Sequence, residues 1–197
     1  MERVIRNFLS GYIMVSPADI DTLMLLGQRR NFDKKIILTY EGEEEQFLNF
    51  VVKGLVKKYF RHNNEEMVTQ IAQEGDLVCA SDSFLSGSPS HYYVETIEPT
   101  TFLSFSKNAV EELFTIDKKW EQLGRMMLTK LMLDKERWEL ELVQLSTIER
   151  LNLFISRHGN LVSRVPQKIL ASYLHIQPET FSRLKHSFNV NMMNSDA

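Results

Sequence analysis

Between Asp117 and Leu145 the sequence runs for 29 residues with no proline and a single glycine. Within this stretch Gly124, Leu128, Leu131, Lys135, Trp138, Leu142 and Leu145 recur at alternating spacings of four and three, a heptad seam interrupted by one lysine. Leu123 and Met127 widen the stripe on one flank. A helix of this length extends roughly 43 Å, more than a small barrel is wide. Part of its apolar face therefore needs a partner beyond its own domain, and a second copy of the same helix is the expected one. The competing arrangement packs the whole helix on the chain's own body.

What precedes this helix is of a different kind. Ser16 caps a helix over Pro17 to Leu26, with Pro17 in its first turn, Ile20, Leu23 and Met24 on one face and Gly27 as its stop. Then come short β runs: Phe32 to Thr39, Phe47 to Val52, Leu55 to Phe60, Met67 to Ala72, Tyr92 to Ile97 and Phe102 to Phe105. Turn-forming residues separate them, among them Glu41-Gly42, Gly54, His62-Asn63-Asn64, Gly75-Asp76 and Gly87-Ser88-Pro89. Many short strands with regular turns predict an antiparallel barrel or jelly roll, since closure hides the strand edges. Ser106 caps a short helix through Phe114 that leads into the long one.

Composition narrows the class. The 197 residues are 43% hydrophobic and 25% charged, the balance of a folded globular chain able to bury a core without staples. One cysteine, Cys79, excludes an internal disulfide framework, a four-thiolate iron–sulfur cluster and a single-chain zinc ribbon. No apolar run reaches the roughly 20 residues of a membrane helix and Met1 to Ser10 carry no signal-peptide core, so a cytoplasmic protein without membrane attachment is expected. The net charge of −3 is unevenly spread. From Ser146 onward six basic residues face three acidic ones, a local +3, which leaves −6 for residues 1–145. A basic last quarter on an acidic body points weakly to a polyanionic partner for that part, and scattered surface charge explains the numbers as well.

The motif decides. Ser146-Thr147-Ile148-Glu149 has the form of a capping box, so a new helix starts there and is expected to end at His158-Gly159-Asn160. The stretch from Val165 to Phe188 reads VPQKILASYLHIQPETFSRLKHSF. Pro166 opens a helix that buries Ile169, Leu170 and Tyr173, with Ala171 small where a second helix crosses. The turn His175-Ile176-Gln177 follows with Ile176 as its inward plug, and Pro178 opens a second helix burying Phe181, Leu184 and Phe188. Its other face presents Glu179, Ser182, Arg183, Lys185 and His186. This is the layout of a helix-turn-helix whose second helix enters the major groove of double-stranded DNA. Arg183 can pair with guanine O6 and N7, worth about 1–3 kcal/mol of discrimination, and Glu179 can accept from a cytosine amino group. Gln167, Lys168, Gln177, Thr180 and Ser182 suit phosphate oxygens. The bland alternative is a helical hairpin with a solvated polar face.

The segment VPQKILASYLHIQPETFSRLK resembles the DNA-reading motif of the Crp/Fnr family of bacterial transcription regulators. VVKGLVKKYF, the Glu-Gly-Asp turn, FLSGSPSHYYVETIEPT and the long helix fall in the family's order, so the resemblance covers about residues 20 to 188. It implies an α+β chain: an antiparallel jelly-roll sensor domain of the cyclic-nucleotide-binding type over 1–116, a dimerisation helix over 117–145, and a winged-helix-like helix-turn-helix domain over 146–197. It implies Pro178, Glu179 and Arg183 as the base-reading trio, with proline standing where many members carry a basic side chain. It also implies DNA and RNA polymerase as partners. Nine residues follow Phe188, too few for a clear two-stranded wing.

The same resemblance argues against cyclic AMP. In nucleotide-sensing members a Gly-Glu-Leu turn holds the ribose and an Arg-Ser/Thr-Ala segment the cyclic phosphate. Here Gly75-Asp76-Leu77 resembles the first, while the region of the second reads Gly87-Ser88-Pro89-Ser90-His91-Tyr92 without an arginine. A buried phosphate lacking its cation forfeits a charge-assisted pair. Thr129 is the only hydroxyl between Ile116 and Leu145, so the purine contact from the long helix is missing too. Gly75, Asp76, Ser88, Ser90 and His91 are the candidate lining for some other small effector. No cofactor, metal site or catalytic constellation is expected: His62 and His91 form no H-x-H pair, and nucleophile elbow and phosphate-binding glycine loop are absent. A sequence-specific, dimeric regulator on an inverted-repeat operator is the leading expectation. The alternative is a dimeric scaffold or small-ligand binder that no longer binds DNA.

Overall fold

The computed structural model describes residues 1–184. Helices α1 (Glu2–Leu9) and α2 (Pro17–Leu26) precede eight strands: β1 (Gln28–Phe32), β2 (Ile37–Thr39), β3 (Phe47–Lys53), β4 (Val56–His62), β5 (Glu65–Ala72), β6 (Leu77–Val78), β7 (Tyr93–Thr96) and β8 (Thr100–Ser106). Helix α3 (Ser81–Ser86) interrupts them. Then follow α4 (Lys107–Ile116), α5 (Lys118–Gln144), α6 (Thr147–Arg164) and α7 (Gln167–Tyr173), and a further helix, α8, occupies 178–184. The strands form two four-stranded antiparallel sheets, ordered β1-β8-β3-β6 and β2-β7-β4-β5. This is the expected jelly roll.

Both faces of both sheets are used. Val51, Val56, Ala72, Val78, Val94 and Phe102 point inward from the two sheets and fill the space between them. On the outer face of the first sheet, Phe50, Leu103 and Phe105 pack against α1, α2, α4 and the start of α5, where Trp120 and Leu123 are buried. The second sheet is covered by the C-terminal helices: Leu55, Ile71 and Ile97 share one core with Leu151, Phe154, Leu161, Val165, Leu170, Leu174 and Phe181.

Local signals hold where they are self-contained. Ser16 and Asp19 close a reciprocal capping box on α2, and Ser146 and Glu149 do the same on α6. Ser106 caps α4 through the Ala109 N–H. Four expectations need correction. The run Phe32–Thr39 is two strands, because the chain steps from the first sheet to the second between them. The Thr96 hydroxyl fixes that step, accepting from Ile36 N–H and donating to Asp33 O, with Lys35 at φ 63. Met24 is 38% exposed, since Ile20 and Leu23 already fill the inward face. The helix from Ser146 breaks at His158 as expected (φ −137, ψ 38), but helix resumes at once and runs to Arg164, which brings Leu161 and Val165 into the same core as Leu151. Trp138 is no free seam residue: it stacks on Tyr173 of α7 at 5.1 Å and 10°. Helix α1, α3 and β6 were not foreseen from the sequence.

Candidate nucleic-acid interface and barrel interior

The C-terminal helices are held together by the small and apolar residues that the motif requires. Leu170, Ala171 and Leu174 are fully buried, Ile176 plugs the turn at 5% exposure and Phe181 anchors α8 at 1%. The turn is sharp: His175 adopts φ 53 and Ile176 N–H donates to Ala171 O. Arg150, which carried only a charge in the sequence reading, clamps this turn to the end of α5. Its guanidinium donates to Leu174 O at 3.2 Å and to Leu145 O at 2.7 Å. Tyr173 and Ile169, expected in the core, are half-buried.

Against that framework the polar residues face outward. Gln167 and Lys168 are exposed in the first turn of α7, and Gln177, Pro178, Glu179, Ser182 and Arg183 are exposed around the start of α8. Thr180 is half-buried, with its hydroxyl 3.5 Å from the Arg183 guanidinium. The structure therefore brings eight of the ten predicted DNA-facing residues onto two neighbouring helix starts. Lys185 and His186, like Phe188 and the stretch where a wing would lie, fall outside the described residues.

Three further groups tie these helices to the barrel. Arg164 donates two parallel hydrogen bonds to the Glu74 carboxylate, both at 2.9 Å, and two to Glu98, at 2.8 and 3.3 Å. Asn160 donates to Gln73 at 2.8 Å. Ser172 of α7 meets β5, the outermost strand of its sheet: its hydroxyl donates to Glu66 O at 2.6 Å and accepts from Val68 N–H at 3.0 Å. Burial alone would raise the Glu74 carboxyl, but Arg164 and the Gly54 N–H outweigh it and hold it at about 2. A carboxyl depressed on folding stabilises the protein fully above its unfolded value near 4.5, and that contribution is lost as pH falls toward 2. Solvent screening at this half-buried pair limits the contribution to about 1 kcal/mol. Urea unfolding at pH 6 and pH 3 should show wild type losing about that much more stability than Arg164→Met over the same interval.

The predicted effector residues fall into two groups. Gly75 and Asp76 form a tight turn beside β3, where Asp76 accepts from Gln73 N–H and Gly75 N–H donates to Val51 O. Ser90 is buried and stitched to the 41–46 loop by reciprocal backbone bonds, Ser90 N–H to Glu43 O and Gly42 N–H to Ser90 O. His91 is exposed and its Nδ1 lies 2.9 Å from Asp82, while the Ser88 carbonyl accepts from Ser83. No hydrogen bond among the described residues joins the first group to the second.

Two charged groups inside the barrel escaped the sequence reading. Lys58 of β4 is 8% exposed and turns inward beside Val94, its ammonium 5.4 Å from the centre of the Tyr92 ring. Burial holds its pKa below the ordinary lysine value. Glu45 is buried with its carboxylate accepting from the Thr39 hydroxyl, Ala80 N–H and Phe47 N–H. Cys79 lies nearby, its thiol pushed up to about 12 by burial. The only signal for these groups was that Lys57-Lys58 interrupts an apolar strand, which places one lysine on each face.

Residues 29–117 match the family of cyclic nucleotide-binding domains. Among solved structures, FixK2 from Bradyrhizobium japonicum superposes with a TM-score of 0.74 at 18% identity, over 84% of this chain and 85% of that one. The c-di-GMP responsive global regulator CLP from Xanthomonas campestris gives 0.66 at 17% identity, over 89% and 93%. Thermus thermophilus catabolite activator protein gives 0.58 at 20% identity, over 93% and 87%. No curated protein matches the sequence. A nucleotide-binding-type barrel joined through a long helix to C-terminal helices is the Crp/Fnr fold, and this chain has it. No helix among the described residues is long and apolar enough to cross a membrane.

Proposed function

We propose that this chain is a sequence-specific DNA-binding transcription regulator of the Crp/Fnr type, acting as a homodimer on an inverted-repeat operator. The observation that carries the reading is the outward array of Gln177, Pro178, Glu179, Ser182 and Arg183 on a helix fixed by the buried Ala171, Ile176 and Phe181. Core residues lock the helix while its polar face is turned to solvent, where a groove can receive it. Dimerisation is supported by α5, where Leu128, Met132, Leu133, Leu140 and Val143 are each more than half exposed. Of the heptad seam only Leu128 is among them, and the exposed apolar face is turned away from Trp138, Leu142 and Leu145, which are half-buried. Two such helices packed together would cover that surface and hold two reading helices about 34 Å apart. In this reading residues 1–116 are the sensor, 117–145 the dimer helix and 146–197 the DNA-binding unit, and a signal in the barrel acts by moving the last against the first. RNA polymerase is the natural further partner of such a regulator. The effector is a small molecule other than cyclic AMP, since no arginine stands beside Ser90 and the Glu45 carboxylate takes up local amide donors.

The test is selection from a random duplex pool with wild type and Arg183→Ala. Wild type is expected to enrich a palindrome, and the variant to relax one base pair per half-site by about 1–3 kcal/mol. Absence of any enriched site at low salt would turn the reading toward a dimeric ligand-binding scaffold.

A further inference from the structure

The β4–β5 hairpin lies beside α7, and its tip is built to reach outward. His62 and Glu65 pair across a two-residue turn, Asn63-Asn64, with both residues in the left-handed region (φ 50 and 63). That is the tight turn whose twist matches the flanking strands. The Ser172 bonds to Glu66 O and Val68 N–H fix α7 against this hairpin. Lys168 stands one helical turn before Ser172, on the same side of α7. A groove of about 360 Å³ results, lined by Arg61, Asn64, Glu66, Lys168, Ile169 and Ser172.

Charge around this groove is positive by one. Glu66 is the one acidic group of the lining, and Lys57 bridges its carboxylate and that of Glu95, so these three groups carry one positive and two negative charges against Arg61 and Lys168. Arg61 and Lys168 are both exposed, and among the described residues neither makes a salt bridge. The Arg61 guanidinium is held in place over the Tyr93 ring at 4.8 Å, which leaves its N–H groups available. A planar, oriented guanidinium next to a lysine and a side-chain amide suits a phosphate oxygen.

We propose that the β4–β5 hairpin forms a second contact with the DNA backbone. Arg61, assisted by Asn64, binds a phosphate adjacent to the one held by Gln167 and Lys168. The barrel thereby takes part in binding without reading sequence. This rests on the DNA-binding reading above and adds a contact outside the helix-turn-helix.

The experiment uses the full-length protein and its selected operator duplex. Dissociation constants are measured between 50 and 300 mM salt for wild type, Arg61→Ala, Arg61→Lys and Arg183→Ala. Each phosphate contact contributes about 0.9 to the slope of log affinity against log salt. Arg61→Ala removes one contact from each protomer of the dimer, so it is expected to lower the slope by about two and to weaken every duplex alike, leaving base preference unchanged. Arg61→Lys should restore the slope, which a loss of folding could not do. An unchanged slope in Arg61→Ala, with wild type binding its operator, overturns the proposal. If wild type shows no salt-dependent DNA binding at all, the underlying regulator reading falls and takes the proposal with it.

Discussion

Phe181→Ala is expected to cost about 3–5 kcal/mol and to abolish operator binding. Phe181 is 1% exposed and sits in the core shared by α6, α7 and the outer side of the second sheet. Removing its ring leaves a cavity in the core that also holds the fully buried Leu151, Leu170 and Leu174, and a close-packed core collapses only partly into such a void. Because the ring is the main buried anchor of α8 in the described residues, its loss unseats the start of the reading helix directly. Urea unfolding followed by circular dichroism gives the first number and fluorescence anisotropy on an operator duplex the second. A stability loss below about 1 kcal/mol with intact binding would show that α8 is held by other contacts.

The second large effect is expected at Gly54, in the turn between β3 and β4. Its φ is +106, and a Cβ there would meet Thr100 Oγ1 at 2.5 Å, Pro99 O at 2.7 Å and Thr100 Cα at 2.8 Å. Two of those atoms are backbone, so they cannot swing aside. Gly54→Ala thus combines the left-handed penalty of about 1–2 kcal/mol with overpacking of about 1–3 kcal/mol, a total of roughly 2–5 kcal/mol. Gly75 provides the control: φ is +93 but nothing lies within 4 Å of its added Cβ. Gly75→Ala should show the backbone part alone, about 1–2 kcal/mol. Equal losses in the two variants by thermal unfolding would refute the steric argument. Gly54 N–H also donates to Glu74, the carboxylate that Arg164 grips, so the damage reaches the contact between barrel and C-terminal helices.

Features that depend on nearby residues were legible in the sequence. The capping serines 16, 106 and 146, the long helix and the turn plug Ile176 are each specified within about four residues of their partners. Position along the chain also revealed the outward residues of α7 and α8, because a helix spacing tells inside from outside. What stayed hidden depends on distant partners. The break in Phe32–Thr39 is set by Thr96, some 60 residues away, and the helix resumes beyond the His158 break because Leu161 and Val165 find a core built partly by residues of the barrel. Helix α1 hides its purpose in a polar run where Ile5 and Leu9 alone are buried. Nothing local marks Glu45 for burial, which follows from donors on Thr39, Phe47 and Ala80 that only the folded barrel assembles.

The Ser172 hydroxyl has a consequence for solubility. A sheet's last strand offers a row of unmatched N–H and C=O groups on which another molecule's strand can grow. By engaging Val68 and Glu66, and by laying α7 along β5, the C-terminal helices shield that template, while Leu55, Ile71 and Ile97 lie beneath them. A fragment ending at residue 116 would uncover both at once, so the isolated barrel should be prone to aggregate through its own edge.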